Sequence, residues 1–397
     1  MAIQKLSIAQ FLVLAQQHPV LDVRSPGEYS HAHIPGAFNL PLFSDEERKV
    51  VGTAYKQESR ETAVKIGLEF FGVKMKAIVE KVEIIAQTHF RESNRQHNAK
   101  PPSGGLGIVL VHCWRGGMRS AGVAWLLDLY GFKVYTLVGG YKAYRKWVLA
   151  KFDEPYPFHI IGGYTGSGKT LLLQELVRKG QVVIDLEGLA NHKGSAFGAL
   201  GEKAQPKQEM FENLLAGSLQ FAVDRLQFAV GSSQSFDSVG QHLPSSIQHP
   251  AYNTHPPSPC IWLEDESQRI GNLQIPMPLW HTMRRSPVFF LNIPFEERLN
   301  YLTAEYGRYE KEKLLNAIIR IQKRLGGLET KNAISYLVED DYRECFRILL
   351  TYYDKWYYKG LFNRENISAL LNKIPATTVD TYGNTHKLLT CSVTATL

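Results

Sequence analysis

The chain alternates between short runs of consecutive apolar residues and longer stretches whose apolar positions recur at helical spacing. SIAQFLVLAQQ places its apolar residues three and four apart and predicts a helix, while PVLDVR is a short buried-strand pattern. RSPGEYSHAHIPGAFNLPL is turn-rich and ends in a second short strand, and residues 45–90 read as charged helices. Residues 91–107 are polar with Pro and Gly, which predicts an exposed loop. IVLVHC then reads as a strand, MRSAGVAWLLDLYG as a helix closed by Gly131, KVYTLVGG as a strand and GYKAYRKWVLAKF as a helix. Strands alternating with helices predict a parallel α/β sheet.

KFDEPYP, residues 151–157, reads as a linker, and the pattern restarts after it. HIIGGYTGSGKTLLLQEL, QVVIDLEG, CIWLEDE and PVFFLNIP supply strands and a helix of a second α/β domain over 158–295, interrupted by a polar insert at 231–259. From Glu296 onward the spacing is helical (ERLNYLTAEYG, EKLLNAIIRIQKRLGG, DYRECFRILLTYYDKWYYKGL), so 296–397 is expected to be a helical bundle or cap. The expected organisation is a first α/β domain over 1–150, the linker, the second α/β domain and the helical region. There are no internal repeats.

Composition adds a little. At 397 residues and 44% hydrophobic, the chain can bury more than one core. A net charge of +7 favours a polyanionic partner such as nucleic acid. The cysteines Cys113, Cys260, Cys345 and Cys391 form no C-x-x-C pair and no metal-ligand spacing, which fits a reducing cytoplasm. The N-terminal FLVLA is too short for a signal peptide, and no run approaches the roughly 20 apolar residues of a membrane span. A cytoplasmic protein without membrane contact is expected.

Two loops carry candidate chemistry. Gly163-Tyr164-Thr165-Gly166-Ser167-Gly168-Lys169-Thr170 matches G-x-x-x-x-G-K-[ST], after a strand and opening a helix. Glycines let backbone N–H groups converge on phosphate oxygens, the helix N-terminus adds positive potential, Lys169 supplies a point charge, and the Thr170 hydroxyl is a candidate Mg²⁺ ligand. The loop selects a di- or triphosphate and not a base. Asp185 ends the strand VVID, and Glu264 and Asp265 end CIWLED. Each is a candidate second acidic element holding the metal through water, or a plain surface carboxylate at a strand end.

The other loop is Cys113-Trp114-Arg115-Gly116-Gly117-Met118-Arg119, between a strand and a helix. Loop amides with Arg115 and Arg119 would favour a thiolate and bind an oxyanion. Cys113 and Arg119 stand in the Cys-x5-Arg spacing of a protein tyrosine phosphatase loop, although the surrounding sequence does not follow that pattern. A sulfur-carrier loop and a buried structural cysteine are the other readings.

LDVRSPGEYSHAHIPGAFNLP resembles the rhodanese pattern D-V-R-x-x-x-E-[FY]-x-x-x-H-I-P-G-A, and VHCWRGGMRSAGVAWLL with GFKVYTLVGGYKAY resembles the rhodanese active-site loop, helix and final strand. The loop is one residue longer than the C-x-x-G-x-R-S of common single-domain rhodaneses. A rhodanese-like domain with CWRGGMRS and GGYKAYR, joined to a P-loop domain with GSGKT, DLEGLANHKGSAFG and WLEDESQRIG, resembles tRNA 2-selenouridine synthases from about residue 10 to about residue 310. The resemblance implies a rhodanese-like α/β domain followed by a P-loop NTPase-like α/β domain. It also implies a transferase that geranylates wobble 2-thiouridine of tRNA with geranyl diphosphate and then installs selenium from selenophosphate. Cys113 would handle selenium and the P-loop the diphosphate. No tightly bound cofactor is implied, tRNA is the expected partner, and a selenophosphate-producing enzyme is a candidate one.

Other features remain open at this level. DLEGLANHKGSAFG, with Glu187, Asn191, His192, Lys193 and Ser195, is either an ordinary loop or part of a site or tRNA contact. Arg284, Arg285, Lys311, Lys313, Arg320, Lys323 and Arg324 are candidate phosphate contacts or a solvated helix face. Tyr352, Tyr353, Trp356, Tyr357 and Tyr358 are candidates for base stacking or for helix packing. Rival functions are an ATP-dependent tRNA sulfurtransferase or kinase-like enzyme with a rhodanese sulfur carrier, and a non-catalytic tRNA-binding module with an inert cysteine.

Overall fold

The computed structural model describes residues 3–93, 106–234 and 260–394. The polar segments at 91–107 and 231–259 lie mostly outside the described residues. The chain forms two units: Met1–Ala150 with Glu212–Leu214, and Lys151–Phe211 with Leu215–Leu397.

The first unit runs β1 (Gln4–Leu6), α1 (Ile8–Ala15), β2 (Val20–Asp22), α2 (Pro26–His31), β3 (Phe38–Asn39), α3 (Asp45–Gln57), α4 (Arg60–Gly72), α5 (Met75–Ser93), β4 (Ile108–His112), α6 (Met118–Tyr130), β5 (Lys133–Leu137) and α7 (Gly140–Lys151). Its sheet is parallel throughout, in the order β1-β5-β4-β2-β3. Val109, Leu110 and Val111 of β4 are fully buried, which explains their unbroken apolar run: a central parallel strand is covered on both faces. Val123, Ala124 and Leu127 of α6 pack onto the same core, and Gly131 ends α6 in the left-handed conformation at φ 117°. The stretch read as turn-rich with a short strand at its end has that strand, β3, and also contains a helix, α2. Pro26 opens it, and Ser25 and Glu28 bond reciprocally across its first turn.

The second unit runs β6 (Phe158–Gly163), α8 (Lys169–Arg178), β7 (Val182–Val183), α9 (Leu186–Ala190), α10 (Gln208–Gln234), β8 (Ile261–Glu264), β9 (Arg269–Ile270), β10 (Leu273–Gln274), α11 (Met277–Arg284), β11 (Val288–Asn292), α12 (Phe295–Tyr306), α13 (Lys311–Leu325), α14 (Gly327–Val338), α15 (Tyr342–Phe362), α16 (Ile367–Leu370), β12 (Leu371–Pro375) and α17 (Thr381–Thr394). A parallel sheet, β12-β11-β6-β8-β7, has β6 at its centre with every residue buried. A small antiparallel hairpin pairs β9 with β10. The phosphate loop leaves the carboxyl end of β6, with strands on both sides, where ligands of open α/β sheets bind.

The C-terminal third is not wholly helical. Helices α12 to α15 share their own core around Leu314, Ile318, Leu337 and Phe346. The chain then returns to the sheet: β12 pairs with β11, and Leu388 of α17 joins Leu172, Leu173 and Leu176 of α8. The 151–157 segment is structured too. Phe152 and Tyr156 are buried, and the Tyr156 hydroxyl donates to the Lys151 carbonyl at 2.6 Å.

Candidate functional sites

The cysteine loop follows β4. Cys113 is 3% exposed, and its Sγ accepts the Gly117 N–H at 3.3 Å and lies 3.2 Å from Ser120 Oγ. Ser120 Oγ also lies 3.0 Å from the Gly117 carbonyl it donates to, so a thiol at Cys113 can donate to Ser120 in the same arrangement. Trp114, Arg115, Gly116, Gly117 and Met118 are exposed, while Arg119 is part-buried.

Glycines from two turns lock the loop in place. Gly116 has φ 65°, and a Cβ there would meet the Leu137 carbonyl at 2.5 Å. Gly140, at φ 58°, would place a Cβ 2.3 Å from the Cys113 carbonyl and 2.5 Å from the Gly116 nitrogen. Tyr141 N–H donates to the Cys113 carbonyl at 2.8 Å, and Lys142 N–H to the Trp114 carbonyl at 3.0 Å. The glycine pair after β5 therefore exists so that the start of α7 can press backbone to backbone against the cysteine loop.

The two arginines behave differently. Arg115 is exposed, with no side-chain partner among the described residues. Arg119 is bound through both terminal nitrogens by Glu28, at 2.6 and 3.3 Å. Burial raises the Glu28 carboxyl, but the Arg119 hydrogen bond and charge outweigh it and hold Glu28 at about 2. Arg119 was expected to lend its charge to Cys113. The structure corrects this: Glu28 neutralises that charge, and Arg115 is the free cation of the loop. Beneath the loop, Arg24 and Asp22 form a buried ion pair at 2.6 Å, and the Arg24 guanidinium stacks 3.8 Å from the centre of the Tyr141 ring. Burial lowers the affinity of neighbouring His112 for a proton.

The phosphate loop wraps the N-terminus of α8. Lys169 Nζ donates to the Gly163 carbonyl at 3.0 Å, and Thr170 Oγ1 to Glu187 Oε2 at 3.3 Å. Ser167 folds inward and bonds the Tyr164 carbonyl. Gly166 and Gly168 hold φ of 81° and 70°, and a Cβ on either would strike Leu302 or Val379 within 2.9 Å. From outside, Arg298 of α12 donates to the Thr165 carbonyl at 3.0 Å and makes a two-pronged pair with Asp354 of α15, at 2.8 and 2.7 Å. Tyr357 accepts the Gly163 N–H at 3.0 Å and donates to Asp265 at 2.8 Å. The helical region thus sets the shape of the loop.

The three candidate acids separate. Asp185 caps α9, accepting the Gly188 N–H at 2.7 Å. Asp265 is occupied by Arg364 and Tyr357. Glu264 is buried: one oxygen accepts the Glu187 N–H at 2.8 Å and the other has no partner. Sequence reasoning left Glu187 open and did not single out Glu266, yet both carboxyls line the site near Lys169. Burial, followed by repulsion within the group, pushes Glu264 and Glu266 well above the usual carboxylate range, and burial also raises Glu187.

A cavity of about 710 Å³ opens on the phosphate loop. It is lined by Lys169, Thr170, Glu187 and Glu266 and by the aromatic residues Tyr301, Tyr306, Tyr352, Tyr353, Trp356 and Tyr357. The DLEGLANHKGSAFG segment belongs to this cavity through Asp185, Glu187, Lys193 and Ser195, and so do Arg284 and Arg324. Tyr358 does not line it; it stacks on Phe362 with centroids 4.4 Å apart. Lys311 and Lys313 pair with Asp340 and Glu310.

Two family models match: a rhodanese-like domain over residues 8–66, and the tRNA 2-selenouridine synthase AAA domain over residues 156–375. Curated tRNA 2-selenouridine synthases are similar over nearly the whole chain. One from Sulfurovum sp. (strain NBC37-1) is 30% identical over 89% of this chain and 90% of its own length. One from Hydrogenovibrio crunogenus (strain DSM 25203 / XCL-2) is 33% identical over 87% of this chain and 90% of its own. The chain belongs to the tRNA 2-selenouridine synthase family.

Membership makes it an enzyme, a transferase, with a rhodanese-like first domain and a P-loop-like second. Among solved structures, the N-terminal domain of a Clostridium difficile 630 protein described as ATP/GTP binding is 33% identical over 37% of this chain and 99% of its own, with a TM-score of 0.30. No helix among the described residues is long and apolar enough to cross a membrane. The family resemblance pointed to both loops by their motifs. Glu28 stands at the acidic position of the rhodanese pattern, but nothing in that pattern tied it to Arg119, and no motif pointed to Arg298 and Tyr357, because these contacts form only through tertiary folding.

Proposed function

We propose that this chain modifies the wobble uridine of tRNA in two steps at two sites. At the phosphate loop, the sulfur of 2-thiouridine attacks geranyl diphosphate. A sulfur–carbon bond forms, the carbon–oxygen bond breaks, diphosphate leaves and the N3 proton of the base is released. At the Cys113 loop, selenium from selenophosphate then takes the place of the thioether. The carbon–selenium bond forms at C2 as the carbon–sulfur bond breaks and geranyl thiol leaves with a proton; water cleaves the phosphorus–selenium bond, phosphate leaves and N3 regains its proton. The names of the relatives support tRNA as the substrate.

The observation that carries the first step is the cavity itself. It joins a phosphate loop to an aromatic wall, which suits a molecule with a diphosphate head and an apolar isoprenoid tail. Lys169 and the amides at the start of α8 would stabilise charge on the leaving diphosphate. Mg²⁺ fits beside them. Thr170 Oγ1 and Glu187 Oε2, 3.3 Å apart, would hold it, with phosphate oxygens and water completing its shell. The ion would supply further neutralisation of the diphosphate. Among the described residues, no three His, Cys, Asp or Glu side chains are grouped to bind a metal on their own.

For the second step, Cys113 offers a soft nucleophile at the base of the loop, and Arg115 with the loop backbone offers positive potential for the phosphate of selenophosphate. An enzyme producing selenophosphate is the partner this chemistry requires. The test of the reading is reaction of the purified chain with 2-thiouridine tRNA and geranyl diphosphate, weighing the nucleosides afterwards. S-geranyl-2-thiouridine is expected. Its absence, with sulfur or phosphate transfer on adding ATP instead, would favour an ATP-dependent sulfurtransferase or kinase using the same loop.

A further inference from the structure

The aromatic wall of the cavity is of two kinds. Tyr306 and Tyr353 pack among Phe197, Phe346 and one another's neighbours, and Leu302 and Leu361 beside them are nearly fully buried. This part is an apolar floor. Trp356 is different: it lines the cavity yet is 45% exposed. Arg324 lies with its guanidinium carbon 5.9 Å from the Trp356 ring centre, and Lys359 with its Nζ 5.5 Å from it. Neither cation has a carboxylate partner among the described residues, whereas Lys311, Arg343 and Arg347 of the same helices pair with Asp340 and Glu296. Tyr352 braces the indole edge-on at 6.3 Å.

What sets this indole apart is its place: it lies at the cavity with two unpaired cations beside its ring, so an aromatic face and positive charge are presented together. A buried isoprenoid tail would use the apolar floor and has no use for the cations. A single-stranded nucleotide satisfies both features, with its base on the ring and its flanking phosphates on Arg324 and Lys359. We propose that Trp356 is the stacking platform for an unpaired anticodon-loop base at the mouth of the cavity, with Arg324 and Lys359 holding the adjoining phosphates. The inference rests on the reading of this cavity as the tRNA-modifying site and names the residues that would present the RNA to it.

The test is direct binding of the full chain to an anticodon stem-loop RNA carrying wobble 2-thiouridine, beside a stem of equal charge closed by a tetraloop. Trp356→Ala should weaken the anticodon stem-loop roughly 5- to 150-fold, as loss of one base–aromatic stack does, and leave the tetraloop control unchanged. Trp356→Phe should recover most of the affinity. Arg324→Ala and Lys359→Ala should each reduce the slope of log affinity against log salt by about 1, whereas Trp356→Ala should not. Equal binding by wild type and Trp356→Ala, or a loss confined to geranyl diphosphate affinity, overturns the proposal and makes Trp356 surface or isoprenoid wall. A wild type that binds neither RNA overturns the tRNA reading as well, whereas failure of geranyl transfer with intact stem-loop binding strikes only the chemistry.

Discussion

Glu28 and Arg119 face each other through two hydrogen bonds, Nη1 to Oε2 at 2.6 Å and Nη2 to Oε1 at 3.3 Å. One residue belongs to α2 and the other to the first turn of α6, so the pair ties the cysteine loop to the helix that follows the neighbouring strand β2. The same carboxylate accepts the Ser25 N–H at 3.0 Å and thereby caps α2. One side chain thus orders both a helix and the cysteine loop.

That pair gives a pH dependence with a definite sign. Glu28 is held at about 2 in the fold, against an ordinary value of 4.5. A lowered carboxyl contributes stability that is fully present above 4.5 and is lost as pH falls from 4.5 towards 2. Glu28→Gln should therefore be less stable than wild type at neutral pH, and the gap should close across that window. Urea unfolding at a series of pH values measures it. A gap independent of pH would show that the carboxylate's charge is not what matters.

Gly140→Ala should damage the cysteine loop. The new methyl would meet the Cys113 carbonyl at 2.3 Å, at a backbone φ of 58° that L side chains rarely adopt. A loss of at least about 2 kcal/mol is expected, with loss of selenium insertion. Gly52→Ala in α3 is the control, because a Cβ there meets nothing within 4 Å and the position lies outside the cysteine loop. Thermal unfolding and selenation of the two variants should diverge; equal behaviour would mean that the contact between the two turns is dispensable.

Lys169→Ala removes the cation nearest the leaving diphosphate and its bond to the Gly163 carbonyl. Geranyl transfer should fall by about 10²- to 10³-fold, the usual cost of one charge-stabilising donor, while the fold survives. Near wild-type transfer by a folded variant would remove the phosphate loop from the mechanism.

The two loops were legible because each is a local device. Strand, glycine turn and helix follow one another in sequence, so GSGKT and CWRGGMRS announce their surroundings. Gly131 as a helix stop was legible for the same reason. The elements that escaped depend on distant partners. Strand β1 is three residues with two exposed, and only its pairing with β5 makes it a strand. In β12, LNKIP has no clean alternation, and its place beside β11 is set after a long helical excursion. Helix α2 carried a capping box in Ser25 and Glu28, but Pro26 and Gly27 masked it as a turn. At the sites, Arg119 looked like an aid to Cys113 until Glu28 claimed it, and Glu264, read as either a metal-holding acid or a surface carboxylate, is buried and bonded to the Glu187 N–H.

The division of labour between the two loops is the central claim, and Cys113→Ser tests it most directly. Serine keeps the size of the side chain and the Gly117 N–H as a donor, but at neutral pH its hydroxyl is a far poorer nucleophile than a cysteine thiol without a base beside it. The variant is supplied with 2-thiouridine tRNA, geranyl diphosphate and selenophosphate, and the nucleosides are separated and weighed. The account predicts that S-geranyl-2-thiouridine accumulates and 2-selenouridine is not formed. Formation of 2-selenouridine at the wild-type rate would show that Cys113 does not handle selenium, and loss of geranyl transfer as well would contradict the assignment of the two steps to separate loops.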